Sequence, residues 1–294
     1  MELRVLRYFA EVAREQNITA AAERLHVTQP TLSRQLMELE DELGKKLFER
    51  GKRKTTLTEE GMFLYRRAEE ILTLAEKTEA AFRATDEAVS GDVSIGCGET
   101  DGMRLVIEAM KRTAEAHPDV RFHLYSGNDK DVSMRLDGGL IDFGLFVGYT
   151  DLEKYDHLRL PARDTWGLLM RSDCPLAQKS AVRPADLASV PVLCSRQALH
   201  SNELSGWLGC DFSKLNIPST HNLVTNAAMM VRAGMGCALT IDKLVNTEGT
   251  ELVYRPLDPP MQADLVFAWK KHQVFSKACR KFLEQLRRTA EAAQ

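Results

Sequence analysis

Near the start of the chain, apolar residues recur at three- and four-residue steps. Leu3, Leu6, Phe9, Ala10 and Ala13 make one stripe, the spacing of a helix with one face in a core. A second, short helix is expected from Thr19, a possible cap, through Leu25. In it Ala20, Ala21 and Ala22 keep side chains small enough for another backbone to approach. His26 and Val27 fill a break. Thr28 is then a favourable N-cap for a third helix, which tolerates Pro30 because amides in a first turn lack intrahelical acceptors. That helix carries Leu32, Leu36, Leu39 and Leu43 and is expected to stop at Gly44.

Two helices joined by a tight turn, the second preorganised at its start, describe a helix-turn-helix. Thr28, Gln29, Pro30, Thr31, Ser33 and Arg34 lie on the first turns of the expected recognition helix, the end that enters a major groove, and their polar side chains are expected to face outward. Glutamine can bond adenine bidentately and arginine can do so with guanine, while threonine and serine suit phosphates or the thymine methyl. The stretch KKLFERGKRKTTLT then sets Lys45, Lys46, Arg50, Lys52, Arg53 and Lys54 against the single acid Glu49. A turn at Gly51, between Phe48 and the β-prone Thr55, Thr56 and Leu57, predicts a wing whose Arg50, Lys52 and Arg53 meet backbone phosphates.

From Thr58 the pattern lengthens. Phe63, Ala68, Ile71, Ala75, Phe82 and Val89 fall near three-, four- and seven-residue spacings, with Thr58 as N-cap, Gly61 as a close-packing point and a stop at Ser90 and Gly91. A helix of roughly 30 residues would be about 45 Å long, more than one small domain can cover. Its expected cover is the same helix of a second subunit, giving a two-fold dimer that presents two recognition helices to successive major grooves.

Beyond Gly91 strand and helix patterns alternate. DVSIGCG reads as a strand, 101–116 as a helix, VRFHLYSG as a strand, 128–138 as a helix and IDFGLFVG as a strand, which makes βαβ units and a mostly parallel sheet. A second series follows, with TWGLLMR, RPADLASVPVLCS, a short helix near Trp207, the helix NAAMMVRAG and the strand GCALTI. After DLVFAWKK, a last helix over 275–290 carries Phe275, Cys279, Phe282, Leu283 and Leu286 on one side.

Composition narrows the function. A formal net charge of −3 gives no global attraction to a polyanion, so the case for nucleic acid rests on the local basic stretch. No apolar run approaches the roughly 18 residues needed to span a bilayer, and the first helix contains acids that a secretory signal lacks. The expectation is a cytoplasmic protein with no membrane partner. The six cysteines are scattered without C-x-x-C, and the seven histidines show no i, i+4 pair, so no metal or cofactor is expected. Without a G-x-S-x-G elbow, an H-E-x-x-H or a P-loop, the chain is not expected to be an enzyme.

These residues carry a resemblance. Ala21-Ala22-Glu23-Arg24-Leu25, Gln29-Pro30-Thr31-Leu32-Ser33-Arg34, Leu39-Glu40-Asp41-Glu42-Leu43-Gly44 and Leu47-Phe48-Glu49-Arg50 appear in the order found in the LysR-type transcriptional regulators. The chain resembles that family over nearly its whole length. The resemblance implies a multidomain α + α/β protein. Residues 1–58 would form a winged helix-turn-helix and 59–90 a long linker and dimerisation helix. Residues 91–294 would form a two-lobed, periplasmic-binding-protein-like α/β effector domain, with lobe I at 91–161 and 268–294 and lobe II at 162–267. It also implies double-stranded promoter DNA and a small-molecule effector as partners, RNA polymerase as a further candidate, and a homodimer that pairs into a homotetramer.

In open α/β sheets ligands sit beyond the carboxyl ends of strands. Those ends bring Glu99, Thr100, Ser126, Asn128, Phe146, Ser195, Arg196, Thr225 and Asn226 into consideration for the effector site. The resemblance favours Thr100, Ser126, Asn128, Ser195 and Thr225, each of which could equally be a simple cap or turn residue. Glu99 stands where the family pattern has a small hydroxylated residue, which disfavours a carboxylate effector and favours an amine, an amino acid or a neutral ligand. Peroxide-sensing members of the family use a cysteine pair; Cys194 and Cys210 do not match the expected spacing, and inert buried thiols are expected instead.

Overall fold

A computed structural model of the chain describes residues 1–294 except 52, 53, 84–87, 149, 150, 200, 201, 210, 211 and 294, and not the side chains of 50, 80–83, 202 and 203. The chain forms two compact units, Met1–Ala84 and Thr85–Gln294.

In the first unit, α1 (Leu3–Glu15), α2 (Ile18–Arg24) and α3 (Gln29–Leu43) enclose a core of Leu6, Phe9, Ala21, Leu32, Leu36 and Leu39. Each fully buried leucine or phenylalanine there contributes about 1.5–3 kcal/mol. Asn17, and not Thr19, caps α2: its Oδ1 accepts the amides of Thr19 and Ala20 at 2.9 and 3.2 Å. The asparagine sits where the backbone is still extended, so its short acceptor reaches the orphan amides of the first turn; Thr19 is already helical. Ala21 and Ala22 are buried against neighbouring helices.

Helix α3 starts as its sequence predicts. Thr28 Oγ1 accepts the Thr31 amide at 3.4 Å, Pro30 lies in the first turn, and Gly44 ends the helix with φ +65°. The wing is a hairpin of β1 (Phe48–Arg50) and β2 (Thr55–Leu57), paired antiparallel. Next comes α4 (Glu59–Arg83), where Thr58 Oγ1 accepts the Gly61 amide at 3.0 Å and donates to the Lys46 carbonyl at 2.7 Å. A Cβ on Gly61 would lie 2.1 Å from the Leu47 carbonyl oxygen, which is why the helix start requires glycine. The described part of α4 has 25 residues, about 38 Å at 1.5 Å per residue, and residues 84–87, within the expected helix, lie outside the described residues. Positions 88–90 are not helical, so the chain leaves the helix before the expected stop at Ser90.

The second unit opens with β3 (Gly91–Cys97), α5 (Met103–Ala116), β4 (Val120–Ser126), α6 (Asp129–Asp137) and β5 (Phe143–Val147). β3 pairs in parallel with both β4 and β5, as the alternation predicts, but the strands that join the lobes pair antiparallel, so the sheet is mixed and not mostly parallel. The 17-residue β6 (Tyr155–Arg171) then crosses to the other lobe, which contains α7 (Pro184–Leu187), β7 (Val192–Ser195), α8 (Arg196–Leu199), α9 (Asn202–Leu208), β8 (Thr220–His221), α10 (Val224–Arg232), β9 (Cys237–Ile241) and β10 (Leu252–Pro256). β11 (Gln262–Lys270) returns, and α11 (Lys277–Ala292) closes the first lobe by packing Cys279, Phe282 and Leu286 into its core.

One path of strands joins the lobes, in the order β4-β3-β5-β11-β6-β9-β7-β8, with β10 paired to β6. The early part of β6 pairs antiparallel with β11, and residues 166–169 pair antiparallel with β9. Neither this early part nor β10 was expected. Pro161 breaks the pattern of strand residues, and proline within a strand ordinarily argues against one. Here it falls at a register shift between β6 and β11, where the missing N–H costs no regular ladder bond. β11 pairs antiparallel with β5 from Leu265 onward, three residues before position 268, where the return to lobe I was expected.

Candidate nucleic-acid interface and interlobe cleft

On the first turns of α3, Thr28, Gln29, Pro30, Thr31 and Arg34 are exposed. Thr28 Oγ1 and Thr31 Oγ1 lie 2.8 Å apart, and Arg34 Nε lies 3.6 Å from Glu38 Oε1 one turn on, an exposed pair of little energetic weight that aligns the guanidinium along the helix. Ser33 does not face outward. It is 9% exposed and accepts a hydrogen bond from Gln29 Nε2 at 3.0 Å, because positions 33, 36 and 40 share the face of α3 that turns into the core. The contact steadies the side chain of Gln29, an exposed residue.

The wing is tied to this helix by a residue whose importance the sequence did not reveal. Glu40, 3% exposed, accepts the backbone amides of Leu47 and Phe48 on Oε1 at 2.8 and 3.2 Å and the Lys46 ammonium on Oε2 at 3.0 Å. Burial raises the carboxyl's pKa, but the two amides and Lys46 outweigh it and hold the group below the usual glutamate range. The available signal was a charge among Leu36, Leu39 and Leu43. Of the basic stretch, Lys45 lies 3.4 Å from Glu60 and Lys54 is exposed. Lys52 and Arg53 lie outside the described residues, as does the side chain of Arg50.

In the second unit, several strand-end residues act locally. Asn128 Oδ1 caps α6 through the Asp131 amide at 3.0 Å, and its Nδ2 donates to Asp131 Oδ2 at 2.7 Å. Ser195 Oγ accepts the Ala198 amide at 3.0 Å, and exposed Ser126 bonds the Cys97 thiol. Thr100 is buried, accepts the Gly102 amide at 3.0 Å and shares a hydrogen bond with Asp164. Phe146 is fully buried and stacks on Tyr155 with ring centroids 6.1 Å apart, so it belongs to the core and not to a ligand surface. Strand alternation turns it to the α6 face while Val147 takes the other. Arg196, Thr225 and Asn226 are exposed.

Glu99 reaches across the lobes. Its Oε2 accepts the amide of Val224, the first residue of α10, at 2.6 Å. The residue before it, Leu223, supplies no side-chain cap, so Glu99 satisfies an amide that would otherwise be orphaned. A second acid at the junction was not foreseen. Asp164, on the crossing strand β6, is 5% exposed and its Oδ2 has no hydrogen-bond partner. Burial raises its carboxyl pKa; Thr100 and Lys243 oppose that, while Asp101 and Asp242 add to it. It lines a cavity of about 410 Å³ with Asp101, Gly102, Arg104, Asp242 and Lys243.

Three of the described thiols, Cys97, Cys194 and Cys237, offer little reactivity. Burial pushes Cys194 up to about 12, and burial together with Cys174, whose sulfur is 3.8 Å away, does the same to Cys237. Burial also raises Cys97, and reactive cysteines are shifted the other way. Cys210 lies outside the described residues. Among the described residues no His, Cys, Asp and Glu group could hold a metal, and no helix is long and apolar enough to cross a membrane.

Comparison with known proteins agrees with this architecture. Residues 3–62 match the model of the bacterial regulatory helix-turn-helix protein, lysR family, and residues 86–291 match the LysR substrate binding domain. The chain is 30% identical over 283 residues to the Hca operon transcriptional activator HcaR of Escherichia coli K12, covering 93% of each protein. It is 33% identical over 199 residues to the HTH-type transcriptional regulator BsdA of Bacillus subtilis 168, covering 67% of each. The fold matches full-length CbnR complexed with its target DNA, with a TM-score of 0.71 at 21% identity over 99% of this chain and 100% of that one. The chain belongs to the LysR family, DNA-binding transcriptional regulators in which a helix-turn-helix domain is joined to a substrate-binding domain.

Proposed function

We propose that this regulator reads a two-fold-symmetric promoter site as a dimer and couples that contact to a small molecule held between the lobes of its second unit. The observation that carries the reading is the tip of α3, where Thr28, Gln29, Pro30, Thr31 and Arg34 are exposed on a helix start fixed by its own cap and by a buried core. Gln29 and Arg34 supply the base contacts, Thr28 and Thr31 the phosphate or methyl contacts, and Arg50, Lys52 and Arg53 of the wing the backbone contacts.

The dimer forms through α4. Phe63, Ile71 and Leu74 are 66%, 38% and 46% exposed at helical spacing, an apolar stripe that a second α4 covers. The DNA-bound state of CbnR, which shares this fold, supports the role of the first unit, and pairing of dimers into a tetramer follows the family. The effector enters among Glu99, Ser195, Arg196, Thr225 and Asn226, with Thr100, Ser126 and Asn128 shaping the loops around it. Its binding shifts one lobe against the other about β6 and β11.

Selection of bound sequences from randomised duplex DNA by the full-length chain tests the reading. It should enrich inverted repeats whose half-site centres are one helical turn, about 34–36 Å, or a multiple of it apart. Enrichment of no sequence, or of a single half-site alone, would overturn it.

A further inference from the structure

The proposed effector site has a charge character that can be derived from two independent contacts. Free amides at a helix start attract anions. At α10 that position is already taken, because the Glu99 carboxylate arrives from the opposite lobe and accepts the Val224 amide at 2.6 Å. A carboxylate ligand seeking the same amide would have to displace Glu99 and lie beside its charge.

The second contact is Asp164. Thr100 hydrogen-bonds its side chain, Oδ2 is buried without a partner, and the residue lines the cavity formed with Asp101, Gly102, Arg104, Asp242 and Lys243. Most of the surrounding charged groups have partners. Asp101 bonds Arg104 Nε at 2.5 Å and lies 3.9 Å from Lys243 Nζ, and Arg163 bonds Asp264 at 2.8 Å. Asp242 accepts the Lys243 amide at 2.7 Å. A buried carboxylate oxygen without a donor is costly, and an ionised donor is its strongest complement. A divalent metal does not fit, since among the described residues no group of acids could hold one, and such ions need several oxygen ligands.

We propose that the junction between the lobes takes a ligand bearing an ammonium group, that Asp164 Oδ2 receives this group, and that Glu99 determines specificity by barring carboxylates from the start of α10. The inference rests on the reading of this junction as the effector site. It assigns the ligand to the amines and gives the departure at Glu99 a physical role.

Titration calorimetry on the full-length chain tests it with three four-carbon probes at matched ionic strength: 1,4-diaminobutane, 1,4-butanediol and succinate. The diamine should bind the wild type at least about tenfold more tightly than the other two, a difference of about 1.4 kcal/mol. Asp164→Asn, nearly the same shape without the charge, should abolish that preference, and Glu99→Ser should let succinate bind about tenfold more tightly than it binds the wild type. Circular dichroism verifies that each variant is folded, and the comparison of probes on the wild type decides the matter without any variant. Binding of succinate or the diol as tight as that of the diamine would overturn the amine assignment and leave the effector reading standing. Diamine binding unchanged in folded Asp164→Asn would also overturn it. If no probe bound while the chain still bound DNA, the amine assignment would fall and the effector reading would stand.

Discussion

Replacing Glu40 should loosen the wing from the recognition helix. Its side chain is buried and holds the Leu47 and Phe48 amides at 2.8 and 3.2 Å and Lys46 at 3.0 Å. Glu40→Ala leaves two buried amides without acceptors, each costing about 1–3 kcal/mol, and the lost desolvation of the carboxylate offsets part of this, for a net near 3 kcal/mol. Glu40→Gln keeps a carbonyl oxygen for both amides and loses the charge assistance, so its cost is about 1 kcal/mol. Hydrogen exchange read at the Leu47 and Phe48 amides isolates the effect, because about 3 kcal/mol corresponds to a loss of protection exceeding a hundredfold. The carboxyl's pKa also fixes the pH dependence. It lies below the ordinary value of 4.5, so the stabilisation is complete above that pH and is lost as pH falls below it through the folded-state value. In Glu40→Gln that acid-dependent loss disappears. Protection of both amides equal to wild type in Glu40→Ala would refute the reasoning.

Two further outcomes are expected. Gly61→Ala places a Cβ 2.1 Å from the Leu47 carbonyl oxygen, a backbone atom that cannot move aside cheaply, so it should lower the stability of the first unit by about 2–3 kcal/mol in a denaturant titration. A charge on the exposed stripe of α4, as in the double substitution of Phe63→Glu and Leu74→Glu, should shift the chain toward monomer in sedimentation and weaken binding to an inverted repeat more than to random DNA.

The parts of the fold that could be read from sequence are those fixed by local chemistry. Thr28 and Thr58 cap their helices through their own hydroxyls, Gly44 takes a positive φ, and the first strands after Gly91, β3 with β4 and β5, pair in parallel, because each outcome depends on a few adjacent residues. The errors lie where two local solutions compete or a distant partner decides. Asn17 and Thr19 could both cap α2, and the better acceptor geometry wins. Ser33 is polar and near the helix start, but helical phase puts it with Leu36 and Glu40. Phe146 follows strand alternation into the core, and the early part of β6 is strand only because β11 lies beside it. Glu40, Glu99 and Asp164 gain their meaning from contacts with segments 7, 125 and 64 positions away, which no local pattern encodes: the Leu47 amide, the Val224 amide and the Thr100 hydroxyl. The exposed positions at the tip of α3 were therefore legible apart from Ser33, whereas the cleft was legible only as a set of loops, several of whose polar groups serve as caps.

The claim on which the regulator reading depends is that the α3 tip contacts base edges. Measuring the affinities of wild type and Arg34→Ala for the selected inverted repeat and for a scrambled duplex, over a range of salt, tests this most directly. The account predicts that Arg34→Ala loses about 1–3 kcal/mol on the repeat and little on the scrambled duplex, with the salt slope nearly unchanged. Equal losses on both duplexes would contradict it and would reduce Arg34 to a phosphate contact.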